Sequence, residues 1–365
     1  MGHGTRKLAP GYGRCHTFSF RMPRLRADVE IGPTDKDFAS GLLVDLAAAV
    51  GRARQGAQVA LTTRRAVDED LARWSRFTGN PVVGTTQEVD GWRYVVRVGG
   101  VEQQEADERP IGSRLWLYTN FDCNLACDYC CVRSSPSAPR RELGLEQVRR
   151  IARQAGALGV ADLLVTGGEP FLLEDIGPIL LACAEAATTT VLTNGMLFAG
   201  RRRDALQALP RDRVVLQVSL DSPDPALHDR HRGAGSWAKA VRGIAVARGL
   251  GFRVRVAATV ATDGDEEALL AYFARETIPE QDRLVRRIAL RGFAEDGVAL
   301  ARGDLRPEPT ITASGVYWHP VGATDDDFFV TSDPLPLARA FEAVRRAWEE
   351  ERRFATTLAS VFHCA

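Results

Sequence analysis

The spacing of apolar residues divides the chain into two parts that predict different orders of strands and helices. Between residues 14 and 98, short apolar runs and helical repeats follow the order β-α-β-α-β-β, which predicts a small two-layer α+β domain. Asp90-Gly91 joins the last two alternating segments and is typical of a tight β-hairpin. The strands are predicted at 17–20, 58–62, 81–89 and 92–98, and the helices at 38–54 and 68–78.

From residue 114 the pattern changes to strand, loop and helix, repeated along the chain. Alternation of this kind predicts parallel strands joined by crossover helices. Six strands are too few for a closed eight-stranded barrel, so we expect an α/β fold with an open, partial (β/α)6 TIM-like barrel. The strands are predicted at 114–119, 162–166, 189–193, 214–220, 253–260 and 285–290, and the helices at about 143–158, 174–187, 201–208, 236–249 and 265–274.

The change from one pattern of predicted strands and helices to the other sets the predicted domain boundaries. The α+β domain spans 14–98, a polar linker occupies 99–112, and the partial barrel spans 113–295. Residues 296–365 contain strand-like pieces at 308–333 and an amphipathic helix at 335–353. We interpret this last part as a C-terminal extension and a candidate substrate-binding region.

The charge of the chain narrows its partners. Lys and Arg together number 47, and Asp and Glu also number 47, so the formal net charge is zero. A net charge of zero gives no indication that the chain binds nucleic acid or an anionic membrane. No apolar run approaches the roughly 20 residues that span a bilayer, and no signal peptide is visible, so we expect a cytoplasmic protein.

Four of the seven cysteines lie within nine residues, at Cys123, Cys127, Cys130 and Cys131. A tight cluster indicates a metal site rather than a disulfide framework. Three thiolates on one loop can hold three irons of a 4Fe-4S cluster and leave the fourth iron open. The alternative is a zinc site, which requires four ligands; Cys131 could be the fourth, but adjacent cysteines bind one tetrahedral ion awkwardly.

Three further motifs follow predicted strands. They are Gly167-Gly168-Glu169-Pro170, Thr193-Asn194-Gly195, and Ser219-Leu220-Asp221, and the last precedes a run that contains Arg230 and Arg232. Together with Cys123-x3-Cys127-x2-Cys130, these motifs resemble those of the radical S-adenosylmethionine (SAM) superfamily across about 114–291.

The resemblance implies cofactors and residue roles. A 4Fe-4S cluster would be held by Cys123, Cys127 and Cys130, and SAM would bind its open iron. An external donor of the flavodoxin or ferredoxin type would supply one electron, and SAM would yield a 5′-deoxyadenosyl radical. The implied SAM contacts are Gly167, Gly168, Glu169 and Pro170 at the amine, Ser219 and Arg232 (with Arg230 as a rival) at the carboxylate, and Asn194 and Asp221 at the ribose.

The first domain resembles TusA-like sulfurtransferases over residues 17–98. That family begins its first helix with Cys-Pro-x-Pro, whose cysteine carries a persulfide, whereas this chain has Phe38-Ala39-Ser40-Gly41. The missing nucleophile excludes persulfide transfer at this position. Cys15 is a poor substitute, and we interpret the domain as a docking unit for a partner or substrate.

We therefore expect reductive SAM cleavage followed by hydrogen abstraction from a peptide or from a precursor of a cofactor or natural product. The alternatives are a sulfur-inserting radical SAM enzyme and a non-catalytic iron–sulfur protein; intact SAM contacts argue against the latter. Residues 307–322 lack cysteines, and Cys364 alone cannot hold an auxiliary cluster. Arg286, Arg287 and Arg291 could contact substrate or could form a solvated face. Tyr317, Trp318 and His319 could also contact substrate, although Tyr and Trp are more often core residues.

Overall fold

The computed structural model describes residues 27–38, 40–54, 56–78, 80–98 and 109–361. It contains two compact units, divided between Glu108 and Arg109, within the segment predicted as a linker. Each unit has its own apolar core.

The first unit has the predicted β-α-β-α-β-β order and a four-stranded sheet. In that sheet β1 pairs parallel with β2, and β4 pairs antiparallel with both β2 and β3, which gives the order β1-β2-β4-β3. Apolar residues such as Leu42, Leu46 and Tyr94 fill the space between the sheet and the helices. The elements are β1 (Val29–Thr34), α1 (Leu42–Arg52), β2 (Gln58–Thr63), α2 (Asp68–Thr78), β3 (Val82–Glu88) and β4 (Gly91–Arg97).

Two expectations for this unit change. The strand predicted at 17–20 lies outside the described residues, and the first described strand begins at Val29. Helix α1 begins at Leu42 rather than at Phe38, because Gly41 adopts a left-handed backbone conformation (φ 109°) immediately before it. Phe38 therefore precedes the helix and does not start it. The hairpin at Asp90-Gly91 is present as predicted.

The second unit contains the expected partial barrel. Its six parallel strands pair in chain order, each with the next, and helices connect them. The strands are β5 (Arg114–Tyr118), β6 (Asp162–Thr166), β7 (Thr188–Thr193), β8 (Val214–Ser219), β9 (Arg253–Val260) and β10 (Arg283–Arg287). The connecting helices are α3 (Leu145–Ala157), α4 (Ile176–Ala186), α5 (Arg201–Ala208), α6 (Pro225–Arg232), α7 (Ser236–Gly249) and α8 (Asp263–Arg275).

The C-terminal segment extends the barrel sheet. Strand β11 (Thr310–Thr312) pairs parallel with β5, and the antiparallel strands β12 (Gly315–Tyr317) and β13 (Phe329–Thr331) follow it at the edge. The last helix, α9 (Leu337–Val361), continues beyond the predicted end at residue 353. The segment was expected as a separate extension, and it instead forms three of the nine strands of this sheet.

Alternation along the strands places one set of side chains against the helices and the other set inside the barrel. Leu115 and Leu117 belong to the core under the helices, so Trp116 and Tyr118 face the interior. On β10, Val285 packs on the same core, so Arg286 faces inward. None of the helices in these described ranges is long and apolar enough to span a membrane.

Sequence reasoning missed helix α6. No helix was predicted over the run that contains Arg230 and Arg232, but this run is helical from Pro225 to Arg232. The signal was present: Asp224 caps the helix by accepting a hydrogen bond from the backbone N–H of Ala226, and proline occupies the first turn. Strand β10 also begins two residues earlier than predicted and ends at Arg287 rather than at residue 290.

Helix α7 depends on close contact with the end of β7. A Cβ at Gly243 would lie 2.0 Å from the carbonyl oxygen of Gly195. Gly243→Ala should therefore lower the free energy of unfolding by about 1–3 kcal/mol, the usual cost of overpacking, as measured by urea denaturation. Gly249→Ala in the same helix has no atom within 4 Å of the added methyl and should be neutral or slightly stabilising. Equal effects of the two changes would contradict this packing.

Candidate active site

The cysteine loop, residues 121–135, follows β5 at the carboxyl end of the parallel sheet. It is irregular in structure but fixed at both ends: Asp122 and Ser135 form a β-bridge, and the N–H of Cys123 donates to the carbonyl of Ser135 at 3.2 Å. Between these points the N–H of Cys130 donates to the carbonyl of Cys127 at 3.2 Å. Cys123 and Cys127 therefore lie on a short, closed loop with Cys130.

The three thiols have the surroundings that an iron–sulfur cluster needs. Backbone N–H groups point at two sulfurs, from Leu125 to Cys123 Sγ at 3.4 Å and from Ser134 to Cys130 Sγ at 3.3 Å. Such N–H···S hydrogen bonds stabilise and tune clusters. Burial raises the pKa of Cys123 to about 12 and that of Cys127 to about 11. A cationic iron centre supplies the positive charge that stabilises such buried thiolates.

In the described ranges, no three His, Cys, Asp or Glu side chains converge on a point where they could hold a single metal ion. A cubane spreads its three ligands over three different irons, whereas a zinc ion draws four ligands to one centre. Cys123, Cys127 and Cys130 supply three thiolates, the number that a 4Fe-4S cluster with one open iron takes.

The Gly167-Gly168 pair serves the packing of the cysteine loop. A Cβ at Gly168 would lie 2.1 Å from the carbonyl oxygen of Asp122, and a Cβ at Gly167 would lie 2.3 Å from Asn120 Oδ1. With no side chain in the way, the N–H of Glu169 donates to the carbonyl of Asp122 at 3.0 Å. The two glycines thus allow the backbone after β6 to approach the cysteine loop closely.

Glu169 is fully buried and joins the ends of β6 and β7. Its carboxylate accepts hydrogen bonds from the N–H of Phe171 at 3.1 Å, Thr193 Oγ1 at 2.8 Å and the N–H of Asn194 at 2.8 Å. Burial raises the pKa of Glu169, and these three hydrogen bonds oppose that rise. Pro170 begins the short 3-10 helix that Glu169 caps. A carboxylate accepts about four hydrogen bonds, so one position remains for a ligand donor.

A second buried carboxylate, Asp221, joins the end of β8 to the cysteine loop. It pairs with Arg232, whose Nη2 lies 3.3 Å from Asp221 Oδ1, and it accepts hydrogen bonds from the hydroxyl of Tyr129 and from the N–H of Thr259 at 3.0 Å. The exposed fractions of the Arg232 and Asp221 side chains are 10% and 4%. Burial raises the pKa of Asp221, but the Arg232 guanidinium and these hydrogen bonds lower it below its usual range.

Helix α6 places the two candidate arginines in different surroundings. Arg230 is exposed on its outer side, whereas Arg232 points at Asp221 and lies over the ring of Tyr129. His228, on the same helix, is buried, and its Nδ1 accepts a hydrogen bond from the N–H of Asp221 at 3.1 Å. Burial lowers the pKa of His228 to about 4, so the ring is neutral.

The remaining predicted SAM contacts lie at the same edge of the sheet. Asn194 donates a hydrogen bond to Asn124 Oδ1 on the cysteine loop at 2.8 Å. Ser219 lies half-buried at the end of β8, on the inner face next to Ala257 of β9. A small recess of about 20 Å³, open to solvent, lies beside Tyr129, Asp221 and Thr259.

Other candidate residues separate into two groups. Arg287 pairs with Glu266 at 2.9 Å and with Asp263, and Arg291 pairs with Asp325 at 2.6 Å. Trp318 and Tyr317 are core residues. His319 caps the short 3-10 helix that follows it, because its Nδ1 accepts a hydrogen bond from the N–H of Val321 at 3.2 Å. Of the six suggested side chains, Arg286 is left without such a structural role among the described residues. Sequence reasoning gave no role to Asn124, Tyr129, Thr193 and Thr259. The first three lie within the motifs but are not among the implied contacts, and Thr259 is a single polar residue on β9 that carries no sequence signal.

Comparison with known proteins gives one family. The model of the radical SAM superfamily matches residues 117–272. The curated relatives include the antilisterial bacteriocin subtilosin biosynthesis protein AlbA of Bacillus subtilis (strain 168), 34% identical over 159 residues, which are 42% of this chain and 35% of AlbA. A GTP 3′,8-cyclase of Synechococcus sp. (strain CC9605) is 37% identical over 254 residues, 67% of this chain and 66% of the relative.

The chain thus spans about one third to two thirds of the length of these two relatives. Among solved structures, native anSMEcpe with bound AdoMet matches with a TM-score of 0.50 and 13% identity, over 64% of this chain and 80% of that chain. At this identity the likeness concerns the fold, and it agrees with the partial barrel described above.

The buried pair Asp221–Arg232 can be tested by a double-mutant cycle. Asp221→Ala and Arg232→Ala should each lower the free energy of unfolding by about 3–5 kcal/mol, because each leaves the other charge buried and uncompensated. The double variant should lose clearly less than the sum, as measured by urea denaturation under anaerobic conditions. The exposed pair Arg149–Glu146 is the control, with an expected coupling of about 0.5 kcal/mol or less. Additive losses at Asp221 and Arg232 would contradict the pairing.

Proposed function

Since this chain belongs to the radical SAM superfamily, we propose that it cleaves SAM reductively and uses the resulting radical to abstract hydrogen from an organic substrate. The observation that carries the proposal is the cysteine loop, fixed by hydrogen bonds to the ends of β6, β7 and β8. When bound, the cluster passes one electron to SAM and so generates a 5′-deoxyadenosyl radical.

Cys123, Cys127 and Cys130 would hold the cluster, one thiolate to each of three irons. Each of the first two lies beside a different buried charge. Cys123 is near Glu169, and Cys127 is near Arg232 and Asp221. These charges can orient a zwitterion such as an amino acid group, because Glu169 attracts an ammonium and Arg232 attracts a carboxylate.

The backbone of Gly167, Gly168 and Pro170 would line the amine end of SAM, next to Glu169. Ser219 would donate to the carboxylate beside Arg232. Asn194 and Asp221, at the ends of β7 and β8, would face the ribose. The partners of Asp221 hold it ionised and already occupy both of its oxygens, so a ribose hydroxyl would have to share or displace one of these hydrogen bonds.

For the substrate we propose a peptide or a precursor of a cofactor or natural product. AlbA is named for bacteriocin biosynthesis and the other relative for a cyclisation of GTP, so both classes occur among similar proteins. An external flavodoxin- or ferredoxin-type protein would supply the electron. Low-potential clusters and free thiols suit a reducing compartment, and we propose the cytoplasm.

The first unit would act in docking. Its β-α-β-α-β-β order supports a TusA-like fold, and its described residues contain no cysteine. Sulfur insertion would need a persulfide carrier elsewhere, and Cys15 lies outside the described residues. A docking unit raises the effective concentration of a substrate near the barrel without any chemistry of its own.

The cluster ligands can be tested by single substitutions. Cys123→Ala, Cys127→Ala and Cys130→Ala should each abolish the brown chromophore and the formation of 5′-deoxyadenosine from SAM and dithionite, because no neighbouring side chain replaces a thiolate. Iron content, absorbance and mass spectrometry measure these outcomes. Cys131→Ala is the matched control and should keep most of the activity. Loss of the cluster in Cys131→Ala together with its retention in Cys130→Ala would contradict the assignment.

The carboxylate contact can be tested at Arg232. Arg232→Lys keeps a positive charge beside Asp221 but loses the planar fork, so SAM should bind about tenfold more weakly while the cluster remains, as measured by calorimetry. Arg230→Lys, on the exposed side of the same helix, should bind SAM as the wild type does. Unchanged affinity in Arg232→Lys, or equal weakening in both variants, would count against a role of Arg232 in binding SAM.

A further inference from the structure

Arg286 differs from the other arginines near the end of β10. Arg287 and Arg291 are held by carboxylates, whereas Arg286 has no carboxylate within ion-pair distance among the described residues. Val285 packs against the helices, so Arg286 projects into the barrel, at the level of Thr259 on β9. Its side chain is open to solvent, although the surrounding protein lowers its pKa by desolvation. A guanidinium stays charged under such conditions.

The groups that face Arg286 come from three other parts of the unit: β5, the cysteine loop and the C-terminal segment. Tyr118 is occupied, since its hydroxyl donates to the carbonyl of Pro320 at 2.9 Å. Glu308 is bound by Arg114 at 2.9 Å and by the indole N–H of Trp116. The two remaining neighbours are Cys131 and His319, and Nδ1 of His319 accepts a hydrogen bond from the N–H of Val321 at 3.2 Å.

These neighbours leave one uncompensated charge. Glu308 and Arg114 form an ion pair with each other at 2.9 Å, and no carboxylate among the described residues lies within ion-pair distance of Arg286. A single guanidinium matches one carboxylate with two parallel hydrogen bonds. A triphosphate would need several cations at the same place. The charge count therefore favours a singly charged group.

We propose that Arg286 binds a carboxylate group of the substrate inside the barrel, next to Cys131. The inference rests on the proposed function, in that it takes the barrel interior as the place of the substrate. It names the substrate class as a carboxylic acid, such as an acidic side chain or the C-terminus of a peptide. His319 and Tyr118 are the neighbours of Arg286 there.

The test measures how fast phenylglyoxal modifies individual arginines of the full-length, cluster-loaded protein, with and without a probe. Peptide mass spectrometry reports the modification at each arginine. Propionate is the carboxylate probe, propionamide is its neutral isostere, and inorganic phosphate is the rival anion. We expect propionate to slow the modification of Arg286 by about fivefold, as a charge-assisted pair would, and propionamide to leave it unchanged. The exposed Arg150 and Arg230 are controls within the same molecule and should react at the same rate throughout.

Four results would overturn the proposal: no reaction at Arg286 without a probe, no slowing by propionate, equal slowing at Arg150 and Arg230, or slowing by phosphate that equals or exceeds that by propionate. SAM cleavage by the wild-type protein is measured separately, without any of the three probes. If the wild-type protein does not cleave SAM, the proposed function is wrong. The protection of Arg286 is measured in the same protein and does not depend on that result.

Discussion

The buried ion pair between Asp221 and Arg232 is the interaction on which the arrangement of the site depends. It brings together three pieces of chain that are far apart in sequence: the end of β8, the last turn of α6 and, through the hydroxyl of Tyr129, the cysteine loop. Burying two charges is costly unless their remaining hydrogen-bonding positions are filled. Here Thr259 and Tyr129 fill those of Asp221, so the pair fixes the geometry in which Cys127 is presented.

A second buried carboxylate, that of Glu169, holds the cysteine loop in place from its other side. Glu169 is held by donors from β7, while its backbone joins the cysteine loop at Asp122. The glycines before it allow this approach, because any side chain at Gly168 would collide with the loop backbone. The two carboxylates together hold the cysteine loop against three neighbouring strands, so its thiols belong to the rigid sheet edge rather than to a free loop.

Most of the barrel could be predicted because its signal is repetitive. Each buried strand is a short apolar run, and each helix has a regular apolar spacing. Helix α6 was missed because it has only one buried residue, His228, so no apolar period reveals it. The joining of β11 to β5 could not be predicted either, since strand pairing between residues 116 and 310 depends on tertiary contact.

The site could be predicted only as far as its motifs reach. Cysteine spacing identifies ligands because the chemistry requires those atoms, and the structure brings Glu169, Asn194, Asp221 and Arg232 to the same edge. The motifs gave no warning that Arg232 and Asp221, expected at opposite ends of SAM, are bound to each other. Pairing of this kind depends on the direction of each side chain, which a linear pattern does not contain.

The charges around the cysteine loop also separate two regions of the barrel. Cys123 and Cys127 lie beside Glu169, Asp221 and Arg232, a set with both signs that suits a zwitterion. Cys131 lies beside Arg286, in surroundings that are otherwise neutral and that suit one anion. The two adjacent residues Cys130 and Cys131 therefore mark a boundary, with the proposed cofactor on one side and the proposed substrate on the other.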